Sequence, residues 1–126
     1  MNVVDSSAWL EYFTAGANAH FFAEAIENTQ ELLIPSLSLH EVFKRVVQQR
    51  TENDGLHSVA VMQQGRVVDL DARISLVAAR ISIDLQLPLA DSVMLWQRPR
   101  SYEATFWTQD SHFIGIPGIR YKKASS

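Results

Sequence analysis

The chain contains no cysteine, which removes disulfides, zinc–thiolate sites and cysteine nucleophiles together. Any metal it holds must sit on oxygen or imidazole ligands. No apolar run approaches the roughly 20 residues needed to span a bilayer. The opening Met1-Asn2-Val3-Val4-Asp5 lacks the basic flank and long apolar segment of a signal peptide, so the expected location is the cytoplasm. A Gly-rich phosphate cradle is missing, and no G-x-S-x-G elbow surrounds Ser6 and Ser7. His20, His40, His57 and His112 show no H-E-x-x-H spacing and are read as structural or surface residues. A basic excess is lacking too: 11 Lys and Arg face 14 Asp and Glu, a net charge of −3. Enzymes acting on nucleic acid usually carry such an excess. Net charge, however, counts site carboxylates as though they were free. Two divalent cations among four acids would bring the chain to about +1. The balance therefore neither supports nor excludes an RNA partner.

What is present suits one α/β domain over residues 1–126, with 47% hydrophobic residues to build a core. Short apolar runs at Asn2 to Asp5, Leu32 to Pro35, Val67 to Leu70, Thr105 to Thr108 and Ile119 to Tyr121 predict strands. Between them lie helical patterns. Ser6 and Ser7 offer caps to a helix through Phe13, and Ala19, Phe22, Ala23 and Ile26 follow the i, i+3, i+4, i+7 spacing. Ser36 or Ser38 is expected to cap a helix with the stripe Leu39, Val42, Phe43, Val46 and Val47. Asn53-Asp54-Gly55 reads as a turn before a short helix from His57 to Gln64. Asp71 caps the most periodic segment, with Ile74, Val77, Ala78, Ile81 and Leu85 on one face. A last helix is expected from Leu89 to about Gln97, ended by Pro99. Buried strands alternating with amphipathic helices predict a parallel sheet with helices on both faces.

In such a sheet, ligands gather beyond the carboxyl ends of the strands. Four acids fall there. Asp5 ends the first strand, Glu41 and Asp91 are expected in the first turns of the helices after the second strand and after Pro88, and Asp110 follows Thr108 by two residues. Carboxylates with no cysteine suit a hard cation such as Mg²⁺ or Mn²⁺, and a cation on them can serve phosphodiester hydrolysis. Each acid also has a structural role open to it. Asp5 can cap the first helix, Glu41 can pair with Arg45 at i,i+4, and Asp91 and Asp110 can sit at helix N-termini for the macrodipole alone. Recurrence at four comparable strand-to-helix positions favours the metal reading.

The same residues resemble a known family. Val3-Val4-Asp5-Ser6-Ser7-Ala8, Ile34 to Val42 around Glu41, Leu87-Pro88-Leu89-Ala90-Asp91-Ser92 and Trp107 to Phe113, followed by Ile116-Pro117-Gly118-Ile119, are similar in order and spacing to the four motifs of PIN domains. Among them the chain looks most like the VapC-like ribonuclease toxins of type II toxin–antitoxin pairs. The resemblance covers essentially the whole chain. It implies a single-domain Rossmann-like parallel sheet, Mg²⁺- or Mn²⁺-dependent RNA cleavage, a cognate antitoxin as partner and a homodimer. By position, Asp5, Glu41 and Asp91 become the core metal-site acids. Asp110 completes a second metal position or orients bound water, Thr108 hydrogen-bonds within the cluster, and Ser6 shapes the first loop. The segment Trp96 to Glu103 departs from the family's small-residue helix, which bears on the dimer surface and RNA groove.

Lys44, Arg45, Arg98, Arg100, Arg120, Lys122 and Lys123 are the candidates for holding RNA phosphates. Trp9, Tyr12 and Phe13 read as core, or as a face for an antitoxin helix. Two other functions compete. One is a PIN-like binding module without nuclease activity. The other is a phosphotransfer enzyme using Asp5 as nucleophile, disfavoured because the position two residues later is Ser7.

Overall fold

Five short strands, all parallel, form one sheet: β1 (Asn2–Val4), β2 (Leu32–Pro35), β3 (Arg66–Val68), β4 (Thr105–Thr108) and β5 (Ile119–Tyr121), in the order β3-β2-β1-β4-β5. The computed structural model describes residues 1–87 and 105–124. Within them run five helices: α1 (Ser6–Phe13), α2 (Ala19–Ile26), α3 (Ser36–Gln49), α4 (Glu52–Met62) and α5 (Ala72–Leu85). The helix expected from Leu89 to Gln97, the segment Trp96 to Glu103 and Asp91 lie outside the described residues.

Strand alternation divides the core into two layers. Val3 pairs in register with Leu33 and Phe106, and Val4 pairs with Trp107. Successive side chains point to opposite faces. Val4, Ile34 and Trp107 therefore meet Trp9, Phe22, Ile26, Val42, Val46 and Met62 on one face. Val3, Leu33 and Phe106 meet Leu87, Phe113 and Ile81 on the other. All four residues of β2 are buried, as befits a strand covered on both faces.

The chain moves outward from β1 to β2 to β3, then crosses back to place β4 on the other side of β1. The strand order reverses between β1 and β4, and such a reversal opens a crevice at the carboxyl ends of the two strands.

Three local expectations are corrected. The turn at Asn53-Asp54-Gly55 is instead the first part of α4, capped by Thr51, whose Oγ1 accepts from Asp54 N at 3.1 Å. Gly55 is there for packing. A Cβ on it would lie 2.7 Å from Val47 Cγ2 and 3.1 Å from Phe43 Cε1, so its bare backbone lets α4 approach α3. Second, neither Ser36 nor Ser38 caps α3. Pro35 is the N-cap residue, and Ser36 Oγ accepts from Leu70 N at 3.1 Å, tying the helix to the chain after β3. Because α3 starts this early, Glu41 stands in its second turn and not its first. Third, Leu85 is 47% exposed. The chain turns at Gln86, in the left-handed conformation with φ 54°, and delivers Leu87 to the core in its place. Asp71 does cap α5, accepting from Ile74 N at 2.9 Å.

Gly55→Ala weighs two opposed effects. Alanine gains about 1 kcal/mol in helix propensity, while overpacking a fitted interface costs roughly 1–3 kcal/mol. Val47 is β-branched and stiff, so the clash wins. The expected outcome is a net loss of roughly 1 kcal/mol, read as a lower urea midpoint at unchanged m-value.

Candidate metal centre

Asp5 leaves β1 at the strand reversal. Its backbone N donates to Trp107 O at 2.9 Å, extending the β1–β4 pairing by one bond. Its backbone then turns, and Asp5 becomes the N-cap of α1 with Oδ1 accepting from Ser6 N at 2.8 Å. The other oxygen, Oδ2, accepts from Ser7 Oγ at 3.0 Å and from Thr108 Oγ1 at 2.8 Å. Asp5 is only 6% exposed, and these three donors offset the cost of burying a carboxylate. The cap expected of this residue is thus present, and the same carboxylate takes two further hydroxyl donors. The serines do not cap the helix; they follow the cap.

Glu41 comes to the same place from α3. Its Oε1 accepts from Ser6 Oγ at 2.7 Å. Ser6 therefore donates to both acids, through its amide to Asp5 and through its hydroxyl to Glu41. Its position is the first residue of α1 and not a loop. Among the described residues Glu41 forms no ion pair with Arg45.

Asp110 is joined to Asp5 through Thr108. The Thr108 hydroxyl donates to Asp5 and accepts from Asp110 N at 2.9 Å. Asp110 then caps a single 3₁₀ turn (Ser111–Phe113), its Oδ1 accepting from His112 N at 2.9 Å. Thr108 itself is fully buried. The polar chain Glu41–Ser6–Asp5–Thr108–Asp110 thus spans the carboxyl ends of β1 and β4, with α3 beside them.

The donor set is all oxygen. Among the described residues neither Glu41 Oε2 nor Asp110 Oδ2 accepts a hydrogen bond, which leaves one carboxylate oxygen on each acid for a hard cation. Among the described residues, no group of three acids or histidines is close enough to hold an ion by itself. Asp91, the remaining acid of the expected set, lies outside the described residues. All four histidines are exposed, although His112 Nδ1 lies 3.4 Å from Asp110 Oδ1.

Of the candidate phosphate-binding cations, Arg120 is turned elsewhere. Its guanidinium sits 4.6 Å above the ring of its cross-strand neighbour Trp107 and 5.8 Å from that of Phe21. Lys122 starts where β5 ends, its N donating to Thr108 O at 3.1 Å. Sequence reasoning missed two supports. Ser7, two residues after Asp5, was legible as a short-range donor. Asn18 was not: it is buried, and its Nδ2 donates to Gln109 Oε1 at 3.1 Å and Lys123 O at 2.9 Å, contacts 91 and 105 residues away in sequence.

A family model described as the PIN domain matches residues 3–117. No curated protein sequence matches the chain. Among solved structures it is similar to a toxin–antitoxin complex from Klebsiella pneumoniae, with a TM-score of 0.78 and 16% identity over 95% of this chain and 96% of that one. It is similar also to DNA-bound VapBC from Salmonella typhimurium, with a TM-score of 0.70 and 18% identity over 97% and 96% of the two chains. A third is the sarcin–ricin-loop-cleaving toxin VapC20 of Mycobacterium tuberculosis, with a TM-score of 0.61 and 14% identity over 76% and 79%. At these identities the structural likeness is one of fold.

Thr108→Val keeps the shape of the side chain and removes both of its hydrogen bonds. Asp5 loses a donor, and the Asp110 amide loses its acceptor. Leaving buried polar groups short of partners costs about 1–3 kcal/mol, and that loss is expected in urea unfolding. Thr108→Ser retains the hydroxyl and should lose less.

Proposed function

The chain belongs to the PIN-domain family, and from that premise we propose that it is a Mg²⁺- or Mn²⁺-dependent endoribonuclease, the toxin half of a VapBC-type toxin–antitoxin pair. The observation that carries this reading is Ser6 bonded to both Asp5 and Glu41 at the strand reversal, with Thr108 linking Asp5 to Asp110. Held this way, the acids have little freedom to turn away from one another. Asp5, Glu41 and Asp91 are assigned to the metal, and Asp110 to its second position. Asp91 enters on the sequence pattern alone.

The bound cation would supply Lewis-acid activation of water and neutralise charge on the phosphodiester. The chain's own contribution is placement. Ser6 and Ser7 occupy the lone pairs of Asp5 and Glu41 that face the protein. Thr108 fixes the Asp5 carboxylate and, through the Asp110 amide, the start of the loop bearing Asp110. Preorganised ligands of this kind need no rearrangement as charge develops in the transition state.

Likeness to toxin–antitoxin complexes supports a cognate antitoxin as partner, and likeness to a sarcin–ricin-loop-cleaving toxin supports RNA as substrate. Self-association draws support from α5, where Leu76 and Ile83, seven residues apart and so on one helix face, are 74% and 69% exposed.

Asp5→Asn and Glu41→Gln each keep shape while removing a ligand charge. Cleavage of single-stranded RNA in Mn²⁺ should fall about 10²–10³-fold, the scale of losing one electrostatic contributor to the transition state, with circular dichroism unchanged. Chelator should abolish wild-type cleavage. Cleavage unaffected by chelator contradicts the metal mechanism, and a wild type that binds its antitoxin but cuts no RNA favours the binding-module alternative. For the dimer, Leu76→Glu with Ile83→Glu should convert it to monomer in light scattering, and a wild type already monomeric at tens of micromolar rejects that surface.

A further inference from the structure

A groove of about 380 Å³ lies between α1 and α3. Ser7, which donates to Asp5, and Gln109, which precedes Asp110, form its inner end. Leu10 and Thr14 line the α1 side, and Arg45 and Gln49 the α3 side. We propose that this groove seats the RNA backbone on one side of the scissile phosphodiester, and that Arg45 binds a phosphate there. The inference rests on the ribonuclease reading above and adds to it the path of the strand and the cation that holds it.

Charge accounting singles out Arg45. Among the described residues it is the only Lys or Arg lining the groove. Its natural partner is Glu41, one helical turn back, but Glu41 is bonded to Ser6 instead. Glu11, the acid on the opposite wall, folds over Gly16 and accepts from Asn18 N at 2.8 Å. Arg45 is exposed and makes no ion pair among the described residues. An exposed guanidinium with no ion pair among the described residues, beside a groove that reaches the Asp5-bonded Ser7, suits the bidentate geometry of a phosphate. Ser7, Thr14, Gln49 and Gln109 supply hydroxyls and amides beside Leu10 and Glu11, with no aromatic ring among the described residues of the lining on which a base can stack. That chemistry grips phosphate and ribose rather than base edges, so the contact is expected to tolerate sequence.

The test is binding of a short single-stranded RNA by fluorescence anisotropy over a salt series, with Ca²⁺ replacing Mg²⁺ so that the strand stays intact. Cleavage kinetics in Mn²⁺ run in parallel. Arg45→Ala should raise Kd about tenfold and flatten the slope of log K against log salt by about 0.7, one phosphate contact on a single strand. KM should rise with it, while kcat at saturation stays within about twofold. Arg45→Lys should restore the slope but only part of the affinity. Arg66→Ala, exposed at the amino end of β3 and so away from the rim, serves as control and should change nothing. An Arg45→Ala protein with wild-type Kd and salt slope, beside an active wild type, overturns this assignment alone. A fall in kcat with unchanged Kd also overturns it, because Arg45 would then act on the chemistry. A wild type that neither binds nor cuts RNA overturns the ribonuclease reading as well.

Discussion

Carboxylates at one rim repel, and the ends of β1 and β4 tie Asp5 to Glu41 through Ser6 and to the Asp110 amide through Thr108 regardless. The molecule answers with short donors at fixed points of the backbone. Ser6 and Ser7 begin α1, and Thr108 ends β4. None of them has a long side chain to immobilise, so the entropy lost in bonding to the acids is small.

This arrangement depends on β1 and β4 being neighbours. Asp5 donates its amide to Trp107 O, which sets the Thr108 hydroxyl beside the Asp5 carboxylate. The strand pair is in turn held by the two apolar layers, Val4 with Trp107 on one face and Val3 with Phe106 on the other. α3 brings Glu41 to the same point because it begins directly at Pro35 and packs against α1, with Val42 and Val46 in the core layer they share. Gly55 completes the support by letting α4 close on α3.

The net charge of −3 and an RNA substrate are compatible on these terms. Four of the 14 acids are assigned to a site where a cation is proposed to neutralise them, and the basic residues differ sharply in how free they are. Arg120 lies over two aromatic rings, while Arg45 stands in an open groove with its helical neighbour already engaged. Counting basic residues does not distinguish the two; their partners do.

The sequence by itself determined the parallel α/β architecture, because hydrophobic periodicity is a local property: residues 2–4, 32–35 and 105–108 read as buried strands and form them. It also placed Asp5, Glu41 and Asp110 next to strand ends, where topology makes ligand sites. Asp71 was legible as a cap for the same reason, since a cap bonds within one turn. Only the tertiary structure decided which groups meet. Gly55 read as a turn because glycine's backbone freedom is visible in sequence, whereas the approach of Val47 and Phe43 is not. Ser6 read as a cap because its link to Glu41 crosses 35 residues, and an ion pair with Arg45 stayed open to Glu41 because helical spacing is silent about a serine on another helix. Such contacts depend on how elements pack, and packing is set by the whole core at once.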